Sequence, residues 1–326
     1  MHMRKQDLRI IFMGTPEFAV PSLKALIDAG FNVVGVITAP DKEAGRGKKI
    51  RMSAVKEFAL NSSLKILQPH KLKDTNFINE LVNLKANLQI VVAFRMLPEV
   101  VWAMPKLGTF NLHASLLPQY RGAAPINFAL INGEDTTGLT TFFLDKEIDT
   151  GKIIKQEQIA ISKSDDVGSL HDKMMSIGSK LVIDTVDLIL SDNTITHEQN
   201  TLIKKNEILK SAHKINKEYC RINWNNEPNN IYNFVRGLSP YPAAFSELVS
   251  NNGLNYLVKI YKTAIVSSHE QNKKPGIINT DGNTYLNVST KSGTISILEL
   301  QLSGKKRMII GDFLRGFQKI KEYSFI

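Results

Sequence analysis

The sequence predicts an α/β protein built on a doubly wound, mostly parallel sheet, followed by a small antiparallel β-barrel. Three observations carry that prediction. The first half alternates short apolar runs with segments of helical period, the pattern of a parallel sheet flanked by helices. Beyond the break at Ser191-Asp192-Asn193-Thr194, short β-like runs are separated by Asn-Gly, Pro-Gly, Asp-Gly and Ser-Gly turns. The 326 residues, 43% of them hydrophobic, suffice to bury two cores.

In order, residues 8–13 read as a buried strand and 16–28 as a helix ended by Gly30, with Thr15 as cap and Pro16 in the first turn. A strand over 33–38, a helix over 53–60, a short strand over 65–67, a helix over 76–84 and a strand over 88–94 follow. Next come a strand over 109–112, a helix over 125–132 that opens with Pro125 and closes at Gly133, and a strand over 137–144. An extended segment over 156–161 leads to a long helix over 166–190. The polar stretch over 194–212 lacks periodicity and is read as a linker between a domain at 1–193 and a second at 213–326. In the latter, a helix over 227–235 precedes strands over 245–249, 256–261, 284–288 and 294–300.

Composition narrows the function classes. No apolar run approaches the ~20 residues of a membrane span, and the N-terminus lacks an apolar stretch of signal-peptide length, so a cytoplasmic protein is expected. Cys220 is the one cysteine, which excludes an intramolecular disulfide. The net charge of +10 is uneven. Residues 1–193 hold 23 Lys+Arg against 21 Asp+Glu, a net of +2, whereas 194–326 hold 18 against 10, a net of +8. Basic excess in the second part favours a polyanionic partner, since Lys and Arg gain by releasing counterions from phosphates. Gly14-Thr15-Pro16-Glu17-Phe18 lacks the second and third glycines of a dinucleotide turn, which argues against a nicotinamide cofactor.

The chemistry centres on Asn111-Leu112-His113-Ala114-Ser115-Leu116-Leu117-Pro118-Gln119 and on the acidic loop Asp145 to Gly151, with Asp149 lying 36 positions beyond His113. Asn111 and His113 alternate with Leu112 at a strand end, so they share a face at the carboxyl edge where open α/β sheets bind ligands. An amide, an imidazole and a carboxylate hold a carbonyl oxygen, move a proton and orient its carrier: an acyl-transfer set. No metal is required.

These segments closely resemble the folate-dependent formyltransferases, whose site uses an Asn, a His and an Asp with a Ser-Leu-Leu-Pro stretch. The likeness extends to Ala44-Gly-Arg-Gly-Lys-Lys49, Gly122-Ala-Ala-Pro125, Ile222-Asn-Trp224, Val235-Arg-Gly237, Gly304-Lys-Lys-Arg-Met308 and Phe313-Leu-Arg-Gly316, over essentially the whole length. It points to the members acting on methionyl-tRNA. The chain departs from the pattern at Ala114, where the family carries glycine, and at Phe94-Arg95, where it carries Tyr-Gly.

The resemblance implies a Rossmann-like catalytic domain with an OB-like C-terminal barrel. It also implies transfer of a formyl group from 10-formyltetrahydrofolate to the α-amine of initiator methionyl-tRNA, and catalytic roles for Asn111, His113 and Asp149. Asn111 and His113 would donate to the formyl oxygen, while Asp149 would orient His113 and help remove the amine proton. Ser115, Leu116, Leu117 and Pro118 would line the pterin pocket together with Arg95, Met96 and Leu97. The basic loop over 40–51 resembles the insertion that meets the tRNA acceptor end, with Arg46, Lys48 and Lys49 as contacts. Lys210, Lys305 and Lys306 are the candidates in the basic C-terminal part, and a monomer is expected. The triad alone does not separate this reaction from formyl transfer to a small amine such as glycinamide ribonucleotide or an amino sugar nucleotide. The basic loop and extra domain favour tRNA.

Overall fold

The computed structural model describes residues 4–44, 49–192, 194–267 and 274–326. Its first strand, β1 (Arg9–Gly14), carries the fully buried Ile10, Ile11, Phe12 and Met13. A 3-10 turn at Glu17–Ala19 precedes α1 (Val20–Asp28), which stops at Gly30 with φ +75°. Thr15 caps neither piece: Pro16 is extended (ψ 174°) and takes the cap position itself, so the helix begins after it rather than at it. Then come β2 (Asn32–Ile37) and a hairpin of β3 (Lys42–Ala44) with β4 (Lys49–Arg51), whose register pairs Lys42 with Arg51.

Two helices in this half start on side-chain caps. Ser53 Oγ accepts from Lys56 N at 3.0 Å to open α2 (Ala54–Asn61), and after β5 (Ile66–Leu67) Asp74 Oδ1 accepts from Phe77 N at 3.1 Å to open α3 (Thr75–Asn83). The uniformly buried β6 (Leu88–Val92) is followed by the short α4 (Glu99–Trp102), β7 (Thr109–His113), the two-residue β8 (Arg121–Gly122) and α5 (Pro125–Ile131). The long strands β9 (Thr136–Phe143) and β10 (Ile153–Ala160) then lead to α6 (Val167–Leu190).

Among the described residues the sheet runs β10-β9-β7-β6-β1-β2-β5, with β5, β2, β1, β6 and β7 parallel and β9 antiparallel to β7. The chain winds outward from β1 through β2 to β5, then returns to the other side of β1 for β6 and β7. That reversal opens a crevice at the carboxyl ends of β1 and β6, the place where open α/β sheets take ligands.

The chain divides into two compact units. One comprises Met1–Gly122, Thr137–Ala160 and His171–Ser211, and the other Ala123–Thr136, Ile161–Leu170 and Ala212–Ile326. In the first, Ile11, Met13, Ile37, Leu81, Val91 and Val101 form an apolar layer on the sheet.

After β11 (Ser211–Ala212), the second holds α7 (Pro228–Arg236), β12 (Ala244–Ser250) and the long β13 (Asn255–Ser267). Then follow β14 (Ile278–Asn279), β15 (Asn287–Ser289), β16 (Thr294–Leu302), β17 (Met308–Ile309), α8 (Ile310–Gly316) and β18 (Tyr323–Phe325). The order β14-β15-β16-β13-β12-β18 is antiparallel wherever its register is defined. A bridge from Ile277 to Ser324, and a bond from Phe325 N to Gly276 O at 2.9 Å, join the two edges and close the sheet into a barrel. Alternate residues of β12 point inward onto Trp224, Ile231, Val258, Ile260, Leu300 and Phe313. Trp224, which would otherwise bury an unpaired N–H, donates to Ser246 Oγ at 2.9 Å.

Candidate active site

Register puts the candidate residues in one row. Gly14 pairs with Val92 and Val92 with Leu112, so Thr15, Ala93 and His113 each stand one residue further along neighbouring strands. Asn111 lies two residues earlier on β7, on the same face as His113, paired with Val91 on one side and Phe142 on the other. His113 is 6% exposed and Asn111 half-buried.

The imidazole is held from both ends. His113 Nε2 lies 2.9 Å from Tyr120 O, and because a carbonyl only accepts, Nε2 carries the hydrogen. Nδ1 is the other ring nitrogen. It faces Asp149 Oδ2 at 3.8 Å, beyond a direct hydrogen bond but within ion-pair reach. The Phe142 ring meets the imidazole edge-on at 6.4 Å.

Asp149 is itself over-determined. Its backbone is left-handed (φ +57°), a conformation that Asp tolerates better than most residues. Oδ2 accepts from Gly122 N at 2.9 Å. Two residues on, Gly151 has no room for a side chain: a Cβ there would sit 1.7 Å from Phe143 O. At the start of the loop, Asp145 Oδ1 accepts from Glu147 N at 3.1 Å and Thr150 Oγ1 at 2.7 Å, an Asx-type turn that sets the reversal.

The Ser115 to Pro118 stretch is stitched to β9 and β10. Thr140 Oγ1 donates to Ser115 O at 2.7 Å, Leu117 N donates to Thr140 Oγ1 at 3.1 Å, and Gln156 Nε2 donates to Leu117 O at 2.9 Å. Ser115, Leu117 and Pro118 are buried, and Leu116 is half-buried. Arg95, by contrast, stands between two cavities of about 600 Å³ each. One is walled by Thr15, Pro16, Ala39, Asp41, His70 and Arg95 at the sheet's reversal point. The other is walled by Leu72, Arg95, Met96, Leu97, Pro98 and Val100. The Arg95 guanidinium donates to His70 O at 2.9 Å and to Pro69 O, and its partial burial lowers its pKa from the ordinary arginine value. Met96 is 74% exposed and Leu97 is buried.

Asp41, in the first cavity, accepts from Lys56 Nζ at 2.5 Å and Gln68 Nε2 at 2.9 Å. Those bonds hold its carboxyl below the usual carboxylate value. Neither Asp41 nor Gln68 stands out in sequence, since each falls in a segment read as connection. Arg46 and Lys48 lie outside the described residues, and Lys49 belongs to β4. Lys210, Lys305 and Lys306 are exposed. No group of His, Cys, Asp or Glu among the described residues is arranged to hold a metal ion, and none of the described helices is long and apolar enough to cross a membrane.

Residues 8–186 match the family described as "Formyl transferase", and residues 214–318 match "Formyl transferase, C-terminal domain". The chain is 57% identical over 323 residues to a methionyl-tRNA formyltransferase of Parabacteroides distasonis, covering 99% of each sequence. It is 58% identical over 318 residues to one of Phocaeicola vulgatus, covering 97% of this chain and 98% of the relative. Among solved structures, the sugar 3N-formyl transferase WlaRD, determined in the presence of dTDP and 5-N-formyl-THF, superposes with a TM-score of 0.64. It does so at 22% identity, over 92% of this chain and 99% of that one, a likeness of fold.

Proposed function

The chain belongs to the formyl transferase family through both its halves, and on that premise we propose that it transfers the formyl group of 10-formyltetrahydrofolate to the α-amine of initiator methionyl-tRNA. The product is N-formylmethionyl-tRNA for translation initiation. The observation that carries the reading is the approach of His113 Nδ1 to Asp149 Oδ2 at 3.8 Å, with Asn111 two residues from His113 on the same face at the carboxyl edge.

Chemically, the amine attacks the formyl carbon once it has shed a proton, and negative charge grows on the formyl oxygen. The Asn111 amide stabilises that oxygen by hydrogen bonding. Nδ1 of His113 and Oδ2 of Asp149 stand 3.8 Å apart. An atom placed between them reaches both at about 2.8 Å, which suits either the incoming amine or a water passing its proton to the carboxylate. Protonated Nδ1 then returns a proton to the leaving nitrogen of the donor. The donor's headgroup takes the cavity walled by Arg95, Met96 and Leu97, and Ser115, Leu116, Leu117 and Pro118 line the pterin's other side. The amine end takes the cavity walled by Thr15 and Asp41.

Residues 1–193 supply catalysis, 194–212 the linker and 213–326 the tRNA-binding domain. Arg46, Lys48, Lys49, Lys210, Lys305 and Lys306 meet the polyanion, and the enzyme works as a cytoplasmic monomer. Supporting this, the lysines at 210, 305 and 306 are exposed and the C-terminal part carries most of the excess charge. The decisive experiment offers one formyl donor to three amines: methionyl initiator tRNA, free methionine and glycinamide ribonucleotide. Turnover should be confined to the tRNA, and turnover with glycinamide ribonucleotide alone would overturn the reading.

A further inference from the structure

Gln199 lies between the two matched family segments, in a stretch that reads in sequence as a linker, yet it is 2% exposed. Its Nε2 donates to Asp149 O at 2.9 Å and to Gly151 O at 2.8 Å. Its Oε1 accepts from Arg121 Nε at 3.0 Å and from the Arg121 terminal nitrogen at 2.6 Å. All four hydrogen-bonding directions of the amide, two donors and two acceptors, are thereby committed to two segments: the loop that carries the acid, and the run Tyr120-Arg121-Gly122.

That run is the common reference of the site. Tyr120 O takes the His113 Nε2 hydrogen, and Gly122 N donates to the Asp149 carboxylate. Imidazole and carboxylate are thus each registered against the same three residues, and Gln199 locks the acid's main chain to the middle one. Further along the same stretch, Lys210 O accepts from Tyr120 N at 2.7 Å and Gln119 Oε1 accepts from Lys210 N at 2.8 Å. Gln119 Nε2 in turn donates to Glu207 Oε1 at 2.7 Å. Residues 199–210 therefore strap the run that holds both catalytic side chains.

We infer that Gln199 is a positioning residue: it sets the separation of His113 and Asp149 by clamping the Asp149–Gly151 main chain to Arg121. The inference rests on the reaction assigned above only for its kinetic readout. Gln199→Glu preserves size and still accepts from Arg121, but cannot donate to the two carbonyls. Gln199→Leu removes all four bonds. Misplacing a catalytic group by about 1 Å costs on the order of 10²-fold in rate.

The test measures kcat, both KM values and the pH dependence of kcat for methionyl-tRNA formylation, with His113 ring resonances followed by NMR at fixed pH. Both variants should lose kcat by roughly 10- to 100-fold, with each KM within about twofold of the parent. The pH profile should be displaced and the His113 ring shifts altered. Folded Gln199→Glu with parental His113 shifts overturns the inference, as does a loss that vanishes once activity is counted per folded molecule. Because the NMR arm reads positioning without turnover, a parent inactive on methionyl-tRNA sinks the assigned reaction while leaving this inference to stand or fall on the ring shifts.

Discussion

The carboxyl edge of the first unit buries polar side chains that each serve several partners, whereas the barrel of the second unit buries mainly aliphatic and aromatic ones and carries its lysines outside. At the edge, position is set by directional bonds: Tyr120 O for His113, Gly122 N for Asp149, Gln199 for the acid's main chain. In the barrel, Val258, Ile260, Leu300 and Phe313 are fixed by packing, which has no direction. The lesson is that substitutions in the two regions should fail differently, one losing rate while staying folded and the other losing the fold while keeping its intrinsic rate.

The largest effect that tests this contrast is on turnover. His113→Ala should lower kcat by about 10²–10⁴ and Asn111→Ala by about 10²–10³, with thermal midpoints near the parent's. Asp149→Asn should lower kcat and change the shape of its pH profile, because a carboxylate that accepts a proton is replaced by an amide that does not. A matching fall in thermal stability for all three would erase the distinction between the regions.

Next in size is the barrel core. Phe313, 2% exposed and stacked on Phe317 at 5.1 Å, should cost about 3–5 kcal/mol of stability as Phe313→Ala. Denaturant unfolding measures this, and kcat per folded molecule should stay at the parental value.

Smaller again is the effect of surface charge. Lys305→Glu with Lys306→Glu should raise the KM for tRNA several-fold and reduce the slope of log KM against log salt by about one per lost phosphate contact. The KM for the folate donor should not move. Equal changes in both would show that these lysines act on folding rather than on the polyanion.

The smallest effect lies at Asp41. Hydrogen bonds from Lys56 and then Gln68 depress its carboxyl in the folded state. A depressed folded value adds stability that is present above the ordinary carboxylate value of about 4 and is lost as pH falls through the lower folded value. Parent and Asp41→Asn should therefore differ in thermal midpoint near neutrality and converge in acid. A difference that grows on acidification would contradict the assigned pairing.

Legibility followed the same divide between packing and directional bonding. Strands buried on both faces, such as β1 and β6, announce themselves as unbroken apolar runs and stand within two residues of expectation, as do α2 and α3 with their Ser53 and Asp74 caps. The expected strand over 256–261 extends to Ser267 as β13, where its pairing with β16 keeps the strand going. The expected strand over 284–288 is confined to Asn287–Ser289, since Asp281 draws the N–H groups of Asn283 and Thr284 into a turn. The β3–β4 hairpin was invisible among charges, and α8, at seven residues, is too short to display a period.

At the site, Asn111, His113 and Asp149 are legible because amide, imidazole and acid at one sheet edge form a chemical pattern. Tyr120 O and Gln199 carry no such signal. One is a main-chain carbonyl, and the other is a lone glutamine in a polar stretch.

Gly151 extends this point to heredity. With Phe143 O 1.7 Å from where any side chain would begin, even alanine at this codon displaces the peptide that Gln199 grips, and with it the acid two residues earlier. A descendant could keep Asn111, His113 and Asp149 and still have the loop that carries the acid displaced by one added methyl group.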